Sequence, residues 1–168
     1  MHEARFTITF NRHLSQLTWL LSVYGILLTI YFWYYGLSFP EPYIYVFIFI
    51  FVTDILPTLM LHVQYWLANK GAVLTVSREF NRLTYSDRFQ SLTYGLDEIA
   101  GLLHVASYGG GSWYSFSEYR YFRIIFRDGK EIVITSLMVK DMKFLFEMLL
   151  GLKANKKLRV YAFIRNDG

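Results

Sequence analysis

The sequence predicts a membrane α-helical hairpin of two transmembrane helices, followed by a cytosolic curled β-sheet or small β-barrel with one amphipathic helix near the C-terminus. Three observations carry this expectation. No lysine or arginine occurs between His13 and Lys70. That interval holds two apolar stretches, residues 17–37 with no charged side chain and residues 43–67 with the single acid Asp54. At 1.5 Å rise per residue each is at least about 30 Å long, the thickness of a bilayer's hydrocarbon core. A buried helix in a soluble protein of this size is seldom apolar all round for so long. Beyond Lys70 the pattern changes to the two-residue alternation of strands and ends in one helical stretch.

The elements follow in order. Within residues 1–13, Phe6, Ile8 and Phe10 alternate with Thr7 and Thr9, which predicts a strand at 5–11. A lone strand needs a partner sheet, and only the C-terminal domain can supply one. Residues 14–69 form the hairpin. Its short turn, 36–42, forces the two helices to lie side by side. Of the 17 Lys and Arg residues only Arg5 and Arg12 precede the first stretch, and all the others follow the second. The positive-inside rule then places both termini in the cytoplasm and the turn outside. Tyr31, Phe32, Trp33, Tyr34, Tyr35, Tyr43 and Tyr45 mark the outer interface, Trp19 and Trp66 the inner one. A cleavable signal peptide is not expected, because the first run is too long and a second follows at once.

Residues 70–168 form one small domain. Strands are predicted at 72–77 and 81–86 as a hairpin, then at 89–94 and at 99–108, ended by Gly109, Gly110 and Gly111. A long strand at 114–127 turns at Asp128-Gly129 into 131–135. Leu137, Phe144, Leu145, Met148 and Leu149 then recur at helical spacing, giving a helix at 139–152 with Lys140 and Lys143 on its wet side. A last strand is expected at 158–165.

Two constellations are candidates for function. In the long strand Phe122, Ile124 and Phe126 face a core shared with Ile132 and Ile134. Tyr119, Tyr121, Arg123 and Arg127 lie on the other face. With Trp113, Tyr114 and Arg120 they make a surface suited to phosphates and stacked bases, to anionic lipid headgroups, or simply to solvent; the three readings stand side by side. Gly109–Gly111 is either a phosphate cradle or a flexible turn. The second constellation is a polar seam along the second apolar helix: Asp54, Thr58, His62 and Tyr65, with Pro57 removing the helical donor of residue 53. An acid at mid-span costs about 2.5–3.5 kcal/mol on insertion scales. Either the seam lines a water path or pairs between subunits, or Asp54 glues the hairpin through Tyr24 or Thr29, which lie at similar depth.

Catalytic patterns are missing. The chain has no cysteine, and His2, His13, His62 and His104 show no metal-ligand spacing. Asp97 and Glu98, adjacent at a strand start, point apart. No nucleotide-loop, nucleophile-elbow or zinc-helix motif occurs. His104 reads as a core or rim histidine. The expectation is a non-enzymatic protein with no cofactor and no metal.

The run from Leu96-Asp97-Glu98-Ile99 through Phe126-Arg127-Asp128-Gly129-Lys130-Glu131-Ile132 to the helix at 137–150 resembles the back half of bacterial pleckstrin-homology-like domains. That resemblance implies a curled sheet closed by a C-terminal helix, often beside transmembrane helices; the extra strand at 158–165 departs from it. The whole plan is similar to the two-transmembrane β-barrel effectors of bacterial antiphage cyclic-nucleotide signalling. This likeness implies a multi-pass protein of the bacterial inner membrane, in which the barrel senses a cyclic nucleotide and the hairpins oligomerise to breach the bilayer. Its partners would be the lipid bilayer, other copies of the chain and the cyclic nucleotide, with no polymeric nucleic acid. The alternative is a membrane-anchored adaptor that binds lipid headgroups or a partner protein, or a structural subunit of a membrane complex.

Overall fold

The strand expected ahead of the first helix forms as β1 (Glu3–Thr7) and finds its partner in β2 (Val73–Ser77), with Glu3 opposite Ser77 and Thr7 opposite Val73. The computed structural model describes residues 3–36, 41–108, 114–149 and 154–165. Alternation turns Phe6 inward, over Leu74 and Val76. β3 (Arg82–Ser86) and β4 (Ser91–Gly95) extend this first sheet in the antiparallel order β1-β2-β3-β4. The entire helical hairpin is therefore an insertion between two neighbouring strands.

The second sheet holds β5 (Ile99–Ser107), β6 (Arg120–Phe126), β7 (Glu131–Thr135) and β8 (Ala154–Arg159) in the order β7-β6-β5-β8. β8 runs parallel to β5; the other pairs are antiparallel. The β6–β7 turn is the Asp-Gly turn of the sequence, with Gly129 at φ +83° and Asp128 Oδ1 accepting from the Lys130 amide at 3.0 Å. The two sheets enclose a core of Leu74, Val76, Leu83, Leu102, Phe122, Ile124, Phe126, Ile132 and Ile134. A short helix capped by Asp141 closes it with Met142, Leu145 and Met148.

Three sequence boundaries change. The C-terminal helix is only Met142–Met148, because Met138 and Val139 donate to the Thr135 carbonyl in a turn and are buried there. Burial of Leu137, Met138 and Val139 mimics one more helical turn. The long strand starts at Arg120, since Ser115–Glu118 forms a 3₁₀ turn. The last strand is Ala154–Arg159, not 158–165. Residues 160–165 instead run as a strap fastened by Tyr65 Oη donating to the Ala162 carbonyl (2.8 Å) and by Gln64, whose amide pairs with the Ile164 backbone in both directions (2.9 Å each).

The helices complete the fold. α1 (Phe10–Tyr35) runs antiparallel to a second helix composed of α2 (Glu41–Ile50), a π-helical turn at Phe51–Ile55, and α3 (Leu56–Asn69). Pro57 accounts for the break. It has no N–H for the Thr53 carbonyl, which is taken instead by the Tyr161 hydroxyl at 2.7 Å. Below that break α3 lies on the outer face of the second sheet. Leu61 and Tyr65 are buried there against Val105, Tyr119 and Tyr121. Asn69 bridges β7, accepting from the Thr135 amide (3.0 Å) and hydroxyl (2.7 Å) and donating to the Val133 carbonyl (2.7 Å). Above the break the hairpin is apolar and exposed: Trp33 is 86 %, Tyr45 71 % and Phe49 68 % accessible. Among the described residues one helix, Pro42–Asn69, is long and apolar enough to cross a membrane, with mean hydropathy 2.2. α1 meets that measure only as two pieces, Phe10–Thr18 and Leu20–Tyr35, bent by 40° beside a Thr18 hydroxyl bonded back to Leu14.

Candidate functional site

The polar seam is resolved into two separate devices. Asp54 sits buried in the π turn. Its Oδ2 accepts from the Tyr24 hydroxyl on α1 and from Ser115 Oγ (3.3 Å), and its Oδ1 from the Ser115 amide (3.2 Å). Both carboxylate oxygens are thus satisfied within one chain, by the other helix and by the 3₁₀ turn of the domain. Thr29 takes no part; its hydroxyl bonds back to the Gly25 carbonyl. Thr58 is fully buried, and among the described residues its Oγ1 has no hydrogen-bond partner. His62 links α1 to the domain, with Nε2 2.9 Å from His13 Nδ1 and Nδ1 2.9 Å from the Tyr119 hydroxyl.

The Tyr/Arg face is covered rather than solvated. Tyr119 (0 %), Tyr121 (1 %) and Arg123 (5 %) lie beneath α3 and the 160–165 strap. Burial pushes the Tyr119 hydroxyl pKa up. Arg123 is neutralised by Glu131 at 3.3 Å and donates to the Arg165 carbonyl. Tyr114 is exposed, at a cleft of about 440 Å³ where Tyr108, Val160 and Tyr161 meet Phe49 and Thr53 of the hairpin. Arg127 is exposed at the start of the β6–β7 turn. Trp113 and the triple glycine lie outside the described residues. The six expected ligand residues among the described ones therefore do not converge.

Arg120 faces the other way, and there a different site forms. β5 places His104 opposite Phe122 of β6 and opposite Lys156 of β8, with Arg120 one inward-facing position from Phe122. Met142, Lys143 and Phe146 of the C-terminal helix roof the space, and Ala154 completes a cavity of about 290 Å³. His104 leans on the Phe122 ring at 4.7 Å. Among the described residues His104 Nε2 and Arg120 Nε are shielded from solvent with no hydrogen-bond partner. Burial, then the charges of Arg120 and Lys156, push the His104 pKa down. The nearest compensation is weak: Glu118 stands 3.7 Å from Arg120 and Glu147 3.9 Å from Lys143, all on accessible side chains. Converging cations over an apolar floor suit an anion that carries an apolar part. Among the described residues no group of three or more His, Asp or Glu side chains is arranged to hold a metal ion.

Sequence reasoning named Arg120 but placed it with the wrong neighbours. Lys143, read as a residue on the wet side of the helix, is indeed exposed; His104, read as a core or rim histidine, was not connected with either cation. The missing signal was the parallel β5–β8 pairing, which brings Lys156 beside His104 and leaves no local trace in the sequence.

A family model described as PH domain matches residues 5–145, from β1 through β7 and into the closing helix. The chain belongs to the PH-domain family. No curated protein and no solved structure matches it. In this PH domain the helical hairpin lies inside the matched stretch, between β1 and β2, whereas β8 and the 160–165 strap lie beyond it.

Proposed function

We propose that the protein is a membrane-anchored, non-catalytic PH-domain adaptor of the bacterial inner membrane, held by its hairpin against the cytoplasmic face. The observation that carries this reading is the exposed apolar surface of residues 21–35 and 42–52, which holds no lysine, arginine or acid. So large an apolar surface needs a cover, and lipid suits its all-round distribution. The pocket around His104 and Arg120 is the adaptor's contact for an anionic ligand. Vesicle flotation tests the anchor. Leu27→Arg with Val46→Arg places two charges on exposed apolar positions, at about 2.5–3.5 kcal/mol each in a bilayer centre. The double variant is expected to leave the vesicle fraction with its domain still folded; undiminished flotation would refute the anchor.

A second reading rests on the pocket alone. Cations beside Phe122, Phe146 and His104 also suit a nucleotide, as a cyclic-nucleotide sensor of antiphage defence with oligomerising hairpins would require. The assembly half of that reading loses its support in Asp54, whose oxygens are used within one chain. A saturable thermal shift with one cyclic di- or trinucleotide, lost in Arg120→Ala, would favour the sensor. No shift across the panel would leave the adaptor.

A further inference from the structure

We infer, resting on the anchored reading, that the hairpin is re-entrant: it enters the hydrocarbon from the domain's side and turns back inside the bilayer. Three observations converge on this. The domain covers one face of the second helix's lower half, where Leu61, Tyr65 and Asn69 are fully buried against the second sheet, while Leu59, Met60, Val63 and Leu67 stay exposed on the other side. The domain also climbs the helix. Ser115 reaches Asp54, and Tyr108, Tyr114 and Val160 share a cleft with Phe49 and Thr53. The part that rises beyond the Tyr24–Asp54–Ser115 junction is short: residues 25–35 rise about 16 Å and residues 41–53 about 20 Å, against roughly 30 Å of hydrocarbon.

The two depths differ in the charges they submerge. Setting the turn at the far interface drags Ser115 toward mid-bilayer, and with it Glu118 and Arg120 a few residues along the same segment. Arg159 follows, because it lies opposite Ser107, which bonds the Tyr119 carbonyl. Arginine keeps its charge in any such setting. The re-entrant placement submerges instead a stretch, residues 25–53, that contains no lysine or arginine and one acid, Glu41. The Tyr35 and Tyr43 hydroxyls of that stretch pair with each other at 2.9 Å. Exposed Tyr108, Tyr114 and Val160 then form a collar at the near interface, where aromatic side chains are favoured.

The cysteine-free chain makes the test direct. Full-length Ser38→Cys, in the turn, and Lys157→Cys, on exposed β8, are probed in sealed vesicles of both orientations with a membrane-impermeant maleimide. The expected result is retention in the membrane after alkaline carbonate, labelling of Lys157→Cys from one side, and no labelling of Ser38→Cys from either side until detergent is added. A fluorophore at residue 38 is then quenched most by lipids spin-labelled deep in the acyl chain. Labelling of Ser38→Cys from the side opposite Lys157→Cys would show a true span, overturning re-entrance while leaving the anchor intact. Release by carbonate, with both positions labelled from the same side, would overturn the anchor itself.

Discussion

Removing the Asn69 side chain tests whether α3 is an integral layer of the PH domain. Asn69 is fully buried, and its amide makes three hydrogen bonds to β7. Asn69→Ala removes all three and strands the Thr135 amide and the Val133 carbonyl beneath α3. At about 1 kcal/mol net per bond, plus desolvation of the two orphaned groups, the loss comes to about 3–5 kcal/mol. For a chain of this size that is a fall of roughly 10–15 °C in Tm. The assay is thermal melting of the detergent-solubilised full-length protein by tryptophan fluorescence. Thr135→Val supplies the control: it costs about 1 kcal/mol in the parent and almost nothing once Asn69 is gone, because the two side chains share one bond. A melt for Asn69→Ala within about 2 °C of the parent would refute the account, since the buried bonds would then contribute nothing.

Other expectations follow from the same contacts. Asp54→Asn keeps an acceptor for Tyr24 and Ser115 and is expected to stay within about 1 kcal/mol, whereas Asp54→Leu strands the Tyr24 hydroxyl and the Ser115 amide and hydroxyl and loses about 2–4 kcal/mol; denaturant midpoints compare them, and equal midpoints would sink the pairing. Tyr161→Phe leaves the Thr53 carbonyl without a donor above Pro57, an expected cost of about 1–2 kcal/mol that an unchanged melting curve would contradict. His104 titrates below its usual 6.5, so its contribution is complete above that value and is lost as pH falls through the lower folded value. His104→Gln should therefore flatten the acid limb of a Tm-against-pH curve, and inorganic phosphate should reduce the parent's acid loss. An acid limb identical in parent and variant would count against the buried, cation-flanked histidine.

What the sequence made legible was local. The β2–β3 and β6–β7 hairpins, the Asp-Gly turn and the N-terminal strand came from alternation and turn chemistry, which act over a few residues. The role of α3 did not. Thr58 and Tyr65 stood in the expected polar seam, but Leu61 and Asn69 complete the domain-facing stripe in a helix whose opposite side is equally apolar, so periodicity did not show that the domain covers it. The Tyr/Arg face failed for a related reason. Alternation separates the two faces of β6 without telling which is covered, and a strand buried on both sides carries a charge only where long-range partners neutralise it. Arg123 has Glu131 and the Arg165 carbonyl; Arg120, the first residue of the strand, was left for the pocket.

The placement of the hairpin between β1 and β2 also fixes the order of biogenesis. On the anchored reading, the ribosome releases β1 first, and its partner emerges only after both greasy helices have been made. Glu3 waits for Ser77 across the whole insertion. The strand stays single while the helices find lipid, and closing so long a loop adds only slowly to the entropic cost. Sheet closure then acts as a clasp, shut only when the legs of the hairpin have come back together. A chain whose helices stall leaves its first strand dangling and its core open, a visible mark for the proteases that clear failed membrane proteins.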